Sequence, residues 1–125
     1  MDNRLQITFE QQFVRILSDG EKNYEFSRKV WTQARQACQK YDCYKILGIA
    51  DTTIQMGTWD AFSHADLFSE LQIDNRYRIA WVELNPEAYQ TTFFIETVLF
   101  NRGFSARLFL DEREALEWLL NDDAD

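Results

Sequence analysis

The sequence predicts a single α/β domain built around a mostly parallel β-sheet, with one antiparallel strand at its edge. Strand-like and helix-like segments follow one another in the order β-β-α-β-α-β-α-β-α. Three strand–helix–strand units in succession favour parallel strands with right-handed connections. The segments 44–50 and 78–84 are largely apolar, as expected of strands that are covered on both faces.

The chain opens with the pattern of a β-hairpin. Apolar and polar residues alternate over 5–9, which predicts a half-buried strand. A second strand is predicted over 13–17, and the link before it is short enough for a hairpin. The Ser-Asp-Gly run at 18–20 has turn chemistry, so we expect the second strand to end there.

Two helices and a buried strand are predicted next. Apolar residues recur at three- and four-residue spacing from Asn23 to Tyr41, which predicts the first helix. The strand Tyr44–Ala50 follows and leads into a polar loop at 51–57. A second helix is predicted over Thr58–Leu71. Its inward face is expected to hold Trp59, Phe62, Leu67, Phe68 and Leu71.

The third helix has clear start and stop signals. Asn85 is a good N-cap residue, and Pro86 takes the first helical position, where its missing N–H is not needed. Gly103 suits the left-handed position that often ends a helix. We expect this helix to bury Tyr89, Phe93, Val98 and Phe100.

The chain ends with a strand and a capped helix. Alternating apolar residues predict the strand over 104–110. Asp111 and Glu114 have the spacing of a capping box, which predicts the terminal helix over 111–120. The acidic tail at 121–125 is expected to be disordered.

Composition indicates one domain with an aromatic-rich interior. The 125 residues suit a single domain over 1–125, and aromatic residues make up 15% of them. These rings are expected to fill the core, with an apolar ligand cavity as the alternative.

The negative charge of the chain disfavours anionic binding partners. The formal net charge is −8, so anionic phosphate backbones and anionic lipid headgroups are repelled. We therefore expect no nucleic-acid binding. The sequence has no apolar run long enough to span a membrane and no signal-peptide pattern at its start. We expect a cytoplasmic protein without stable membrane insertion.

The cysteines and the histidine predict neither a metal site nor a cofactor site. Cys38 and Cys43 have no zinc or redox spacing, and His64 is the only histidine. Two reduced thiols are expected. A reactive Cys43 thiol is the alternative, but no neighbouring base in the sequence supports it.

Two stretches of the chain resemble a known family. The strand Arg78–Leu84 runs into Asn85-Pro86, and the stretch from Gly103 through Arg107-Leu108-Phe109 leads to the helix residues Glu114-Ala115-Leu116-Glu117-Trp118-Leu119. With the element order, these resemble the SpoIIAA-like family of small bacterial proteins, grouped as STAS/SEC14 (CRAL-TRIO-like) domains. The resemblance implies a SpoIIAA-like fold over nearly the whole chain. It also implies a non-enzymatic binding or regulatory module that acts through protein–protein interaction. A small apolar, lipid-like ligand carrier is the alternative.

The resemblance also points to a position that is phosphorylated in related domains. In anti-anti-sigma STAS domains an Asp-Ser pair starts the second helix, and a partner kinase phosphorylates the serine. The matching position here is Gly57-Thr58, which lacks the aspartate. Thr58 is therefore either a plain helix N-cap or a phosphate acceptor. Thr52 and Thr53, in the preceding loop, are further candidates for the phosphate acceptor.

The carboxyl ends of the parallel strands are the place where we expect a ligand site. Open α/β sheets bind ligands at this edge, and Asp51 follows a predicted strand there. An acidic residue is also ordinary loop chemistry, so both interpretations stay open. The binding candidates are Asp51, Thr52, Thr53, Thr58 and Asn85.

No catalytic residue is predicted. His64 is expected at the surface or the boundary of the second helix, and no sequence motif supplies it with a nucleophile. A hydrolase that uses Asp51 and His64 is the nearest enzymatic alternative, but nothing in the sequence places them together. Monomer and homodimer stay open, since the edge hairpin or exposed aromatic residues such as Trp59 or Phe94 could form a dimer face.

Overall fold

The computed structural model describes residues 4–54 and 56–121. Apart from Asn121, the predicted acidic tail lies outside the described residues, as do residues 1–3 and 55.

Within the part of the chain that the structure describes, five strands form one sheet in the spatial order β1-β2-β3-β4-β5. The strand bounds are β1 (Arg4–Phe9), β2 (Val14–Lys22), β3 (Lys45–Ile54), β4 (Arg78–Glu83) and β5 (Ser105–Phe109). β1 pairs antiparallel with β2, and every later neighbouring pair is parallel. The prediction of a mostly parallel sheet with one antiparallel edge strand is confirmed.

Residues 4–54 and 56–121 also form five α-helices. Their bounds are α1 (Tyr24–Tyr41), α2 (Thr58–Phe62), α3 (His64–Glu70), α4 (Tyr89–Asn101) and α5 (Glu112–Leu120), with a 3-10 turn at Pro86–Ala88 before α4. The predicted second helix is thus two short helices that meet at Ser63. The Ser63 hydroxyl donates to the carbonyl of Trp59, 2.8 Å away, a back-bond that tends to bend helices.

The two faces of the sheet carry different helices. On one face α1, α3 and α4 pack over β2, β3 and β4, and on the other face α5 covers β3 and β4. Strand residues alternate between these two cores, as the two-residue period of a strand requires. The α5 side is formed by Phe13, Leu47, Ile49, Ala80, Val82, Ala115 and Leu119.

The second strand is longer than predicted. β2 continues through the Ser-Asp-Gly run to Lys22, and β3 extends beside it to Ile54, with Gly20 opposite Thr52. Gly20 has a φ of 98°, a backbone conformation that glycine adopts without steric cost. Hydrogen bonding between the two parallel strands therefore outweighs the local turn preference. As a consequence, the first part of the predicted 51–57 loop is strand.

The helix ends predicted at Asn85, Gly103 and Asp111 are confirmed. Asn85 Oδ1 accepts a hydrogen bond from the N–H of Glu87 at 3.1 Å, and Asp111 Oδ1 accepts one from Glu114 at 2.8 Å. Gly103 has a φ of 87° after the last turn of α4. These contacts satisfy backbone groups that a helix end leaves without partners.

Two predictions about which helix residues are buried are wrong. In α4 the buried residues are Thr92, Ile95, Val98 and Leu99, whereas Phe93 and Phe100 are exposed. Apolar residues lie on several faces of α4, so their spacing does not select the buried face. In α2, Trp59 and Phe62 are exposed because a helix this short buries little beyond Ala61.

Candidate functional site

The sheet separates the predicted binding residues from one another. Thr52 points into the α1–α4 side and is buried, whereas its neighbours Asp51 and Thr53 are exposed. Thr58 is exposed at the start of α2, where the N-cap is Gly57 and no side chain caps the helix. The interpretation of Thr58 as a side-chain N-cap is therefore wrong. Of the predicted site residues, the structure brings together Thr52 and Asn85.

Thr52 and Asn85 meet around a buried carboxylate, Glu83. The Thr52 hydroxyl donates to Glu83 Oε1 at 3.0 Å, and the backbone N–H groups of Thr52 and Asn85 donate to Oε2 at 3.3 and 3.2 Å. The Asn85 side-chain amide donates to the carbonyl of Thr52 at 2.8 Å. This network joins the carboxyl ends of β3 and β4, the edge that the sequence indicated.

Glu83 was not among the predicted site residues. Its side chain is only 5% exposed, and burial raises its pKa, although the hydrogen bonds from Asn85 and Thr52 and the charge of Lys22 act in the opposite direction. A signal was present in the sequence, because Glu83 is the single charge that follows the apolar residues of β4.

Lys22 is the second buried charge that sequence analysis missed. It is the last residue of β2 and is 5% exposed, with Nζ 4.6 Å from the ring centroid of Trp81. Burial lowers the pKa of Lys22 to about 8, and the charge of Glu83 only partly opposes this. Because the predicted second strand ended before residue 18, Lys22 was not expected inside the protein.

His64 is buried, which corrects the prediction that it lies at the surface or the boundary of the second helix. It is 1% exposed, and Nδ1 lies 3.0 and 3.2 Å from the carbonyl oxygens of Asp60 and Ala61. Since carbonyls only accept, Nδ1 carries the proton and Nε2 accepts from the Ser27 hydroxyl at 2.7 Å. Burial, with a smaller effect from Lys22, lowers the pKa of His64 to about 4.

The Ser27–His64 pair joins two helices instead of forming an open nucleophile. Ser27, in α1, is fully buried, so a substrate cannot reach its hydroxyl in this conformation. Asp51 lies beside Ile49 and Leu17, in a surface groove away from His64. The hydrolase that would combine Asp51 and His64 therefore has no geometric support.

A small cavity lies between α4 and the sheet, next to Lys22, Trp81 and His64. Its volume is about 40 Å³, enough for roughly three water-sized groups. The remaining walls are mostly apolar and include Trp31, Phe68, Ile79, Ile95 and Leu99. A lipid chain does not fit into this volume.

The exposed aromatic residues of α2 form the other notable surface. Trp59 is 76% exposed and stacks on the exposed ring of Phe62, with centroids 6.1 Å apart. The guanidinium of Arg102 lies 6.0 Å from the Phe62 ring and 3.7 Å from Asp66. We call Trp59, Phe62, Asp66 and Arg102, together with the neighbouring Thr58, the α2 surface.

The cysteines and acidic residues offer little further chemistry. Cys38 is buried, and burial raises the pKa of its thiol to about 12. Within residues 4–54 and 56–121, no group of three or more His, Cys, Asp or Glu side chains could hold a metal ion. No helix in that same part of the chain is long and apolar enough to cross a membrane.

Comparison with known proteins identifies the fold. No family model matches the chain, and no curated protein matches it in sequence. Among solved structures, an anti-sigma factor antagonist from Mycobacterium paratuberculosis is 12% identical with a TM-score of 0.62, and the match covers 94% of each chain. An uncharacterized DUF3478 family protein with a SpoIIAA-like fold, from Shewanella loihica PV-4, is 16% identical with a TM-score of 0.55, over 94% of this chain and 93% of that one. The predicted SpoIIAA-like fold is confirmed, and at these identities the likeness concerns the fold alone.

Proposed function

We propose that this protein is a non-enzymatic STAS-like regulatory module that docks a protein partner through the α2 surface. The observation that carries the proposal is the exposed, stacked pair of Trp59 and Phe62. The similar fold of an anti-sigma factor antagonist supports a regulatory role. We place the module and its partner in the cytoplasm.

The α2 surface has the features of a binding hot spot. Trp and Arg are enriched among residues that dominate binding energy, and a large apolar side chain held in water gains most from being covered. Trp59 already rests on Phe62, so little side-chain freedom is lost when a partner packs on it. Asp66 and Arg102 provide polar groups at the border of the aromatic pair.

Thr58 is the position through which the interaction would be regulated. Its side chain is exposed directly beside Trp59. A phosphate there would add about −1.5 to −2 charges at neutral pH, close to Asp60 on the same short helix. We expect this charge to change the affinity for the partner without changing the fold.

The experiment compares Trp59→Ala with Phe100→Ala as baits in a quantitative pull-down from the source organism. Phe100 is a suitable control because it is 72% exposed but belongs to α4 and lies outside the α2 surface. A partner bound by wild type and Phe100→Ala should then be purified and titrated by calorimetry. The expected loss for Trp59→Ala is about 2 kcal/mol or more, close to thirtyfold in Kd.

The proposal fails if Trp59→Ala captures every wild-type partner with unchanged affinity. It also fails if Phe100→Ala weakens binding as much as Trp59→Ala does, because the effect would then not be specific to the α2 surface.

The alternative of a lipid-like ligand carrier has less support from the structure. Phe68 lines the 40 Å³ cavity, whereas Phe62 and Phe93 are exposed. Native mass spectrometry of the purified protein tests this alternative directly. A co-purified lipid would favour the carrier, and a clean apo mass would favour the interaction module.

A further inference from the structure

The side chain of Lys22 is unusual because it is buried with its Nζ over an aromatic ring. Lysine is almost never fully buried unless it is paired. Here Nζ faces the ring of Trp81 at 4.6 Å, and the charge of Glu83 acts on it electrostatically.

The cavity beside Lys22 contains few other available polar groups. Both ring nitrogens of His64 are engaged, Thr92 donates to Ala88, and the Glu96 carboxylate accepts from the N–H of Leu108. Arg107 lines the cavity at its outer end, where its side chain reaches the surface. Lys22 is the primary amine among the residues that line this cavity.

We propose that Lys22 is a nucleophile that captures small aldehydes as imines inside this cavity. The cavity holds about 40 Å³, room for roughly three water-sized groups. Acetaldehyde, with three non-hydrogen atoms, matches this size, whereas an aromatic aldehyde does not. Desolvated lysines in apolar sites are recognised nucleophiles toward carbonyl compounds.

The reaction is balanced without an oxidant or a reductant. The nitrogen lone pair of Lys22 forms a bond to the carbonyl carbon, and the oxygen takes a proton to give a carbinolamine. The C–O bond then breaks and water leaves, taking the second proton that the nitrogen releases.

The environment of Lys22 favours this chemistry near neutral pH. With its pKa lowered to about 8, about one amine in ten is unprotonated at pH 7, against about one in three thousand for an ordinary lysine. The charged or titratable groups that face the cavity are His64 from α3, Glu96 from α4 and Arg107 from β5, with Glu83 from β4 acting on Lys22. An imine also avoids the cost of burying an ammonium group.

The test is reductive alkylation of the wild-type protein with acetaldehyde and sodium cyanoborohydride, followed by peptide mass spectrometry. Lys29 and Lys40 are exposed lysines of α1 and serve as controls within the same molecule. At pH 7 we expect Lys22 to be ethylated at least tenfold faster than either control. The Lys22 rate should level off above pH 8, while the control rates keep rising.

Two further measurements distinguish selectivity that arises from the shape of the cavity from the general reactivity of a lysine amine. Benzaldehyde should label Lys29, but it should not label Lys22 faster than Lys29, because the benzaldehyde ring is larger than the cavity. Ala106 lines the cavity, so Ala106→Leu should slow the ethylation of Lys22 at least tenfold. The ethylation rate of Lys29 should stay the same. The proposal is overturned if wild-type Lys22 reacts with acetaldehyde no faster than Lys29 at pH 7, or if benzaldehyde labels it equally well. This inference goes beyond the docking function and does not depend on it, since none of these reagents requires the α2 surface.

Discussion

Replacing Lys22 with methionine is expected to stabilise the protein at pH 7. Burial lowers the pKa of Lys22 from 10.5 to about 8, so holding the ammonium inside costs about 3 kcal/mol at neutral pH. Methionine keeps the unbranched shape and removes the charge. The lost contact between the cation and the Trp81 ring, worth about 1–2 kcal/mol when desolvated, offsets part of this gain. The net expectation is a stabilisation of about 1–2 kcal/mol.

The pH dependence of the same variant gives an independent check. The folded state binds fewer protons than the unfolded state between pH 8 and 10.5, so the Lys22 contribution makes wild type more stable as pH rises through this range. The Lys22→Met variant lacks this contribution. The stability difference between the two proteins should therefore shrink from pH 7 to pH 10.

Urea unfolding followed by circular dichroism measures both effects. For slopes of about 1–3 kcal/mol/M, a gain of this size moves the midpoint by about 0.3–2 M. Lys29→Met, on the exposed side of α1, is the matched control and should stay within about 0.5 kcal/mol of wild type. A Lys22→Met variant that is destabilised by more than 1 kcal/mol, or whose stability follows pH as wild type does, would refute this reasoning.

Three further substitutions or titrations test the interior. The pKa of His64 is lowered to about 4, so folding favours its neutral form. The free energy of unfolding of wild type should therefore fall by about 2 kcal/mol between pH 8 and pH 5, whereas that of His64→Gln should not show this loss. Equal losses in urea titrations of the two proteins would contradict this. A Cβ at Gly48 would lie 2.0 Å from Trp81 Cε3, so Gly48→Ala should lower the stability by about 3 kcal/mol through overpacking. Thermal unfolding measures this loss, and unchanged stability would contradict the close packing of Trp81 on Gly48. Thr52→Val removes a hydrogen bond to the buried Glu83 carboxylate and should lower the stability by about 1–3 kcal/mol at pH 7. This loss should become smaller at a pH low enough to protonate Glu83. A loss that does not depend on pH would show that the hydrogen bond to the carboxylate is not its cause.

Local signals in the sequence predict the fold well. Asn85, Gly103 and Asp111 mark helix ends through chemistry that acts within three or four residues, and the structure confirms each. The turn chemistry around Gly20 was misleading, because pairing of β2 with β3 is a non-local interaction that a short window cannot detect.

The site was predicted only in part, for the same physical reason. The rule that parallel strands present their carboxyl ends at one edge placed Thr52 near Asn85 correctly. Glu83 and Lys22 were missed because their burial follows from the longer β2 and from packing under α4. His64 was misplaced because the broken second helix offers too few turns for its apolar period to identify the buried face.

Photo-crosslinking from position 59 tests the docking role of α2 most directly. Trp59 would be replaced by a photoreactive phenylalanine analogue in cells of the source organism, with the same replacement at Phe100 as the control. Both side chains are well exposed, so neither substitution should disturb folding. The docking account predicts a discrete crosslinked protein from position 59 that is absent from position 100. Crosslinking that is absent at position 59, or identical at both positions, would contradict it.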